Sequence, residues 1–396
     1  MATIGIIAEY NPFHSGHRYH ISQIRHQFGE DSPTVCVMSG NWVQRGDAAI
    51  CDKWSRAAMA IRGGADLVLE LPTLWAVSSA ETFARGGVYL LSATGVVDTL
   101  SFGSETGTLS PLQTIADYLD SADYQNALRR HLDKGLSFPV ARQMAARDSY
   151  GETAECLQTP NNNLGIEYLR AIRYTGSTIE PSTLLRQGVA HDSHTASNHF
   201  ASASHLRKRL LAGDDAPLTP YLTQEDERAI RQMGTSALSY CTRGVFARLR
   251  AMASEDFLFL PDCGEGLHNR LTEAVMTASN LEELYALTKS RRYPHARIRR
   301  LVLWAFLGLR EEDRPDSPPY LRVLGMNKRG QSLLKEMKVK ATLPILTKPA
   351  HVRALDQNTR QIMDIEARCT SLYDLCRENF NRTPGKQEFR ENPIIL

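Results

Sequence analysis

Cysteine pairs at metal-binding spacing are missing from this 396-residue chain, whose seven cysteines, Cys36, Cys51, Cys156, Cys241, Cys263, Cys369 and Cys376, are scattered and odd in number. That excludes a disulfide framework and a zinc site of the Cys-x-x-Cys kind, and no protein-held metal is expected. Long apolar runs are missing too. A membrane-spanning helix needs about 20 apolar residues, so no membrane partner is expected. The opening residues lack the basic segment and small-residue cleavage site of a secretory leader, which makes a cytoplasmic protein the expectation. Internal repeats and low-complexity tracts are absent, and nothing signals a stable protein partner.

A strong net charge is also lacking, at +2, but the charge is unevenly spread. Between Lys289 and Lys348, fifteen Lys and Arg face five Asp and Glu, so this window carries +10 and the remainder −8. Such a local excess suggests a face for a polyanion. The 42% hydrophobic and 23% charged composition is that of a globular protein, and the length suggests two or three domains.

What is present is a rhythm. "TIGIIA" (Thr3 to Ala8) is a short β-branched run ended by turn chemistry at Asn11-Pro12, and a helix begins near Ser15. "TVCVMSG" is a second such run. "DKWSRAAMAIRGG" is an amphipathic helix with a Gly63-Gly64 stop, followed by a strand over Asp66 to Leu71. A further helix through Leu91, a Gly95 stop and a strand from Val96 to Phe102 repeat the scheme. Helical periodicity runs from Leu109 to Gln158, and Asn161 to Asn163 precede a helix with Leu164, Ile166, Leu169 and Ile172. A strand-like stretch ends near Arg186, and "ASNHFASASHLRKRLLAG" (Ala196 to Gly213) brings a Ser-x-Ser turn into a basic helix.

Strand alternating with helix predicts an α/β fold in which a Rossmann-like parallel-sheet domain is followed by a mainly α-helical region. The Pro- and Asp-containing stretch "DDAPLTP" divides a first domain, residues 1–213, from a second, basic one, residues 214–396. In parallel sheets ligands sit beyond the carboxyl ends of the strands, so "EYNPFHSGH", "MSGNWVQRGD", "ELPTLWAVSSAE" and "FGSE" should share one mouth. His14 and His17 then stand at a strand-to-helix junction, where a helix dipole favours an anion and Gly16 leaves room for close approach.

"NPFHSGH" resembles the (His/Thr)-x-Gly-His signature of the nucleotidyltransferase superfamily. "MSGNWVQRGDAAICDKW", "GADLVLELP", "SAETFARGGVYLL", "SFGSE", "PNNNLGIEYL", "SASHLRKRL", "SRRYPHARIRRLVLWAFLGL" and "YLRVLGMNKRGQSLLKEMK" follow in the order seen in the tRNA(Met) cytidine acetate ligase family. The likeness covers nearly the whole chain. It implies an enzyme that activates acetate with ATP as acetyl-AMP, releasing pyrophosphate, and transfers acetyl to N4 of the wobble cytidine of elongator tRNA(Met).

By that resemblance His14 and His17 are catalytic donors to phosphate. The nucleotide-binding segment is Ile7, Ala8, Glu9, Tyr10, Asn11, Pro12, Phe13, His14, Ser15, Gly16, His17, Arg18, Tyr19 and His20. Gly103, Asn162 and Arg186 are further ATP contacts, with the choice among Asn161, Asn162 and Asn163 open. Ser202, Ser204, Arg207 and Lys208 hold the outer phosphates. Asn41, Arg45 and Lys53 are candidates for the second substrate, and Mg²⁺ is expected with the ATP phosphates. Arg291, Arg292, Arg297, Arg299, Arg300, Lys328 and Arg329 are the candidate tRNA contacts, joined by Lys289, Lys335 and Lys338.

The His-Ser-Gly-His loop alone equally suits a small-molecule adenylyltransferase acting on a phosphorylated metabolite such as pantetheine phosphate. The long basic second half argues against that, and also gives a third reading, a non-catalytic RNA-binding protein with a vestigial nucleotide site. A class I aminoacyl-tRNA synthetase would carry a Lys-Met-Ser-Lys-Ser motif, which is missing.

Overall fold

The computed structural model describes residues 1–186, 200–264, 266–380 and 385–396. The strands are β1 (Ile4–Ala8), β2 (Thr34–Ser39), β3 (Trp42–Val43), β4 (Asp47–Ala48), β5 (Leu67–Leu71), β6 (Thr99–Ser104), β7 (Glu180–Leu185), β8 (Leu321–Met326), β9 (Ile345–Leu346) and β10 (Ile394–Ile395). The main sheet runs β10-β8-β5-β2-β1-β6-β7, with β9 paired to β8. The five strands β5, β2, β1, β6 and β7 are mutually parallel.

Burial on both faces explains why the central strands β1, β2 and β5 are mostly apolar along their length rather than at alternate positions, while the edge strand β7 is partly exposed. Ile4 and Ile6 enter one core layer with Cys36, Met38 and Val68; Ile7 enters the other with Val35, Val37, Leu67 and Leu69. Helices α1 (Ser15–Phe28) and α2 (Lys53–Arg62) cover the first face through Ile21, Ile24, Ala57, Met59 and Ile61. The four-residue α3 (Thr73–Ala76) leads to α4 (Ala80–Ala93), which covers the other face through Phe83, Val88 and Leu91. Gly87 lets α4 lie directly on β1, since a Cβ there would stand 2.8 Å from Ile7.

The strand order reverses beside β1: β2 and β5 build outward on one side, β6 and β7 on the other. That reversal opens a crevice at the carboxyl ends of β1 and β6, the place where such sheets take ligands.

Two expectations need correction. The fourth strand starts at Thr99 rather than Val96, because Asp98 instead caps the sheet, its Oδ2 accepting from the Thr3 amide at 2.7 Å. "MSGNWVQRGD" is no plain loop; it holds the antiparallel hairpin β3-β4. The second half is mainly helical as expected, yet it also contributes to the sheet. β8 pairs antiparallel with β5 and parallel with β10, so the sheet draws strands from both sides of residue 213.

Candidate active site

His14 is the N-cap of α1, and its Nδ1 accepts from the Gly16 amide at 3.0 Å. His17 returns the interaction, its Nδ1 accepting from the His14 amide at 3.2 Å. The pair is a capping box in which imidazoles replace the usual hydroxyl and carboxylate. Because Nδ1 of each ring accepts, the proton of each neutral ring resides on Nε2. The rings stack with centroids 3.8 Å apart and both line a cavity of about 340 Å³ at the crevice.

Burial keeps these rings neutral. It lowers the His14 pKa to about 3, helped by the cations Arg186 and Arg207, and lowers His17 well below the ordinary histidine value, helped by His14 and Arg186. His20, one turn further along α1, is lowered to about 4 by burial and Arg186, and its Nε2 lies 3.0 Å from Ser101 Oγ on β6. The site therefore offers fixed N–H donors that carry no charge of their own.

Charge comes from arginine. Arg207 donates from Nη1 to the Asn11 carbonyl at 2.7 Å and from Nη2 to Ser204 Oγ at 3.1 Å. It stands on the helix Ala203–Leu211, whose N-cap Ser202 accepts from the His205 amide, so a second helix N-terminus meets the same cavity. Arg186, at the end of β7, lines it from the β6 side; a Cβ at Gly103 would stand 3.0 Å from the Arg186 side chain. Two positive helix ends and two guanidiniums make a site for a polyanion. Ile7, Phe83, Phe102, Leu164 and Tyr168 supply apolar walls suited to a planar base.

The rim is held by Arg56 of α2. Fully buried, it donates from Nη1 to the Glu9 carbonyl at 2.6 Å, from Nη2 to the Gly40 carbonyl and from Nε to the Cys51 carbonyl. Asn11 Oδ1 accepts from the Ile50 amide at 2.8 Å. The loops after β1 and β2 are thereby tied together, and the Glu9 carboxylate is fixed by the Gln44 amide.

Of the expected segment, Ile7, Ala8, Glu9, Tyr10, Asn11, His14, Gly16, His17, Tyr19 and His20 line the cavity; Pro12, Phe13, Ser15 and Arg18 do not. Phe13 is buried against Tyr10, and the Ser15 amide donates to the Tyr221 carbonyl. The first-turn amides of α1 are consumed by His14 and Tyr221, so Nε2 of the histidines, and not free backbone, faces an anion. Gly16 has a different reason from the expected one: a Cβ there would lie 2.9 Å from His14 Cε1 and displace the ring. Ser202, Ser204, Arg207, Gly103, Arg186 and Arg45 line the cavity, whereas Lys208 is exposed outside it.

Asn162 is corrected. It is buried, and its Oδ1 accepts from the Glu105 and Thr106 amides, closing the loop after β6. Asn163 donates to the Leu157 and Thr159 carbonyls, and it is Asn161 that lines the cavity. Asn41 and Lys53 are corrected as well. Lys53 is fully buried, its Nζ 2.7 Å from Glu70 and 2.5 Å from Glu388, and Asn41 Oδ1 accepts from its amide. An ammonium already neutralised by two buried carboxylates has nothing left for a soluble one.

The basic residues fall into two places. Arg291 and Arg292 are exposed ahead of the helix His295–Leu307; Arg297 donates to the Asp262 carbonyl and Arg299 pairs with Asp47 of β4, near the cavity mouth. Lys328 and Arg329 lie at the opposite end of the sheet, where Arg329 pairs with Asp31, just ahead of β2. Lys289, Lys335 and Lys338 are exposed.

Sequence reasoning missed Arg56, Gln44, Phe83 and Tyr168. Tyr168 carried a signal, standing four residues after Leu164 on one helix face. Among the described residues, no group of three or more His, Cys, Asp or Glu side chains could hold a metal, and no helix is long and apolar enough to cross a membrane.

The HIGH Nucleotidyl Transferase family model matches residues 1–388. The chain is 38% identical over 390 residues to a tRNA(Met) cytidine acetate ligase of Thermoanaerobacter sp. (strain X514), covering 96% of each. It superposes on crystal structures of Thermotoga maritima TmcAL at 31% identity and full coverage of both chains, with TM-scores of 0.95 for the apo form and 0.92 for the form bound with alpha-thio ATP.

Proposed function

This chain belongs to the tRNA(Met) cytidine acetate ligase family of HIGH nucleotidyl transferases, and from that premise we propose that it joins acetate to the wobble cytidine of elongator tRNA(Met) at the expense of ATP. The observation that carries the reading is the pair of neutral imidazoles, pinned by their own helix cap with Nε2–H toward a cavity that also holds Arg186 and Arg207.

In the first step an acetate oxygen forms a bond to the α-phosphorus while the bond to pyrophosphate breaks. His14 and His17 donate to oxygens whose charge grows in that transition state, and Arg207 and Arg186 hold the departing phosphates. Because the histidines are fixed before the reaction, no reorganisation is needed as charge develops. Glu9 is the carboxylate on the cavity lining among the described residues, too few ligands for a protein-held cation. Mg²⁺ therefore comes with the phosphates, where it supplies charge neutralisation. In the second step N4 of cytidine attacks the acetyl carbonyl, AMP leaves and one proton is lost from nitrogen.

Arg45 is the candidate that remains for the acetate carboxylate. We assign the nucleotide chemistry to residues 1–213 and the RNA to the basic residues of 214–396, with Arg291, Arg292, Arg297, Arg299 and Arg300 on the mouth side; Lys328 and Arg329 serve only an RNA that reaches round the sheet.

The test is mass spectrometry of nucleosides after incubating the protein with ATP, Mg²⁺, labelled acetate and unmodified tRNA(Met). Labelled N4-acetylcytidine at the wobble position is expected. Modification with acetyl-CoA in place of ATP and acetate would overturn the ligase reading; acetyl-AMP without modified tRNA would remove the RNA half of it.

A further inference from the structure

A second cavity, of about 220 Å³, opens between the start of α4 and the helix His295–Leu307. Four arginines line it, Arg85, Arg297, Arg300 and Arg314, against Glu81 and Asp262. Three of the four have partners. Arg85 pairs with Glu81, Arg297 donates to the Asp262 carbonyl, and Arg314 donates to Ser78 Oγ at 3.0 Å while lying over the Trp304 ring.

Arg300 differs. It is half-buried and, among the described residues, donates to no group. Burial pulls its guanidinium below the ordinary arginine range, partly offset by the charge of Asp262. A half-buried guanidinium whose donors the protein leaves open to a cavity is available to an anion, and charge-assisted bonds to it are stronger than neutral ones. The local packing keeps it there: a Cβ at Gly46 would lie 2.5 Å from the Arg299 backbone, so the β3-β4 turn wedges the start of this helix in place.

The position relates the two cavities. Ser79, the N-cap of α4, lines the second, and the next residue, Ala80, lines the first. The β3-β4 turn likewise contributes Arg45 to the first cavity and packs on Arg299 and Arg300 beside the second. The start of α4 and the β3-β4 turn thus border both cavities.

We propose that the second cavity binds a backbone phosphodiester of the RNA, next to the nucleotide whose base enters the first cavity, with Arg300 and Arg314 as its guanidinium forks and the N-terminus of α4 behind them. Guanidinium geometry matches two phosphate oxygens at once, which a lysine does not. The inference rests on the tRNA reading above and narrows it: of the four arginines lining the second cavity, Arg300 is the one whose donors the described residues do not take, and Arg314 joins it although sequence did not single it out.

The test is binding of a labelled tRNA(Met) anticodon stem-loop to the full chain, read by fluorescence anisotropy across a potassium chloride series. Arg300→Gln and Arg314→Gln should each weaken binding about tenfold and lower the salt slope by about one. Arg300→Lys should recover the slope better than the affinity, and Lys134→Gln, at an exposed position within residues 1–213, should bind as the unsubstituted chain does. An unchanged melting temperature checks the fold of each variant. Wild-type affinity and slope for Arg300→Gln would overturn the proposal while leaving the tRNA reading intact. Inorganic phosphate that raises the melting temperature of the unsubstituted chain but not of Arg300→Gln, without competing with RNA, would assign the cavity to a free anion and also overturn it. Failure of the unsubstituted chain to bind RNA at all would remove the tRNA reading itself.

Discussion

His14 and His17 hold each other's register: each imidazole accepts at Nδ1 from a backbone amide of the same turn, and the rings stack 3.8 Å apart. The hydrogen bonds that start the helix therefore also choose the tautomers of the two groups that face the cavity. Structure and chemistry share the same two nitrogens.

His17→Ala deletes one donor and one half of the cap. Acetate-dependent pyrophosphate release should fall about 10² to 10³-fold, the size seen when one transition-state donor is removed. Binding of tRNA, measured by anisotropy, should stay near that of the unsubstituted chain. Equal loss of both would mean that the loop has misfolded.

Gly16→Ala sets two effects against each other. Alanine is a better helix former than glycine by about 1 kcal/mol, yet its Cβ would collide with the His14 ring. Thermal unfolding should show little loss of stability, while ATP affinity by calorimetry falls about tenfold or more. Full ATP affinity in this variant would show that the ring position is not critical.

The neutral histidines predict a direction for pH. His14 and His20 have pKa values lowered to about 3 and about 4, against 6.5 unfolded, so near pH 7 and above neither state takes a proton. Below about pH 6.5 the unfolded chain takes up protons that the folded cavity refuses, and stability falls by up to about 1.4 kcal/mol per pH unit for each histidine. That loss ends only near the folded pKa. Urea titrations of the protein and of His20→Gln, which retains a partner for Ser101, should agree near pH 7 and diverge in favour of the variant toward pH 4. Parallel curves would mean that His20 titrates normally.

Lys53→Met separates a structural from a catalytic lysine. With Glu70 stripped of its ammonium and Glu388 left to Arg322 alone, unfolding should become easier by about 3–5 kcal/mol. A variant that melts normally but no longer uses acetate would restore Lys53 to the active site.

The part of the site legible in sequence was the part built by local rules. β1, the turn at Asn11-Pro12 and the start of α1 follow from β-branched residues, turn chemistry and a polar N-cap within one short stretch, onto which the resemblance laid Ile7 to His20 as one nucleotide-binding segment. For Ser202 and Arg207 local rules gave only a second helix cap, and the resemblance supplied their place at the phosphates. Register within a helix was less legible: Asn161, Asn162 and Asn163 look alike as letters, and only the backbone decides that Asn161 meets the cavity while Asn162 closes the β6 loop. Lys53 misled because a lysine at a helix start is ordinarily solvated; its partner Glu388 comes from the far end of the chain, beyond any local pattern. The pairing of β8 with β5 was hidden for the same reason, since periodicity marks a strand without naming its neighbour.

That pairing has a consequence in time. Synthesis delivers β1, β2, β5, β6 and β7 long before β8, and until β8 arrives the outer edge of β5 stands open with its backbone groups unpaired. An open edge on an apolar strand is a template for other chains, and contacts this remote along the sequence form slowly. The nascent half-sheet therefore needs shelter while the remainder is made, and a fragment ending at Gly213 would carry the histidines yet leave that edge bare.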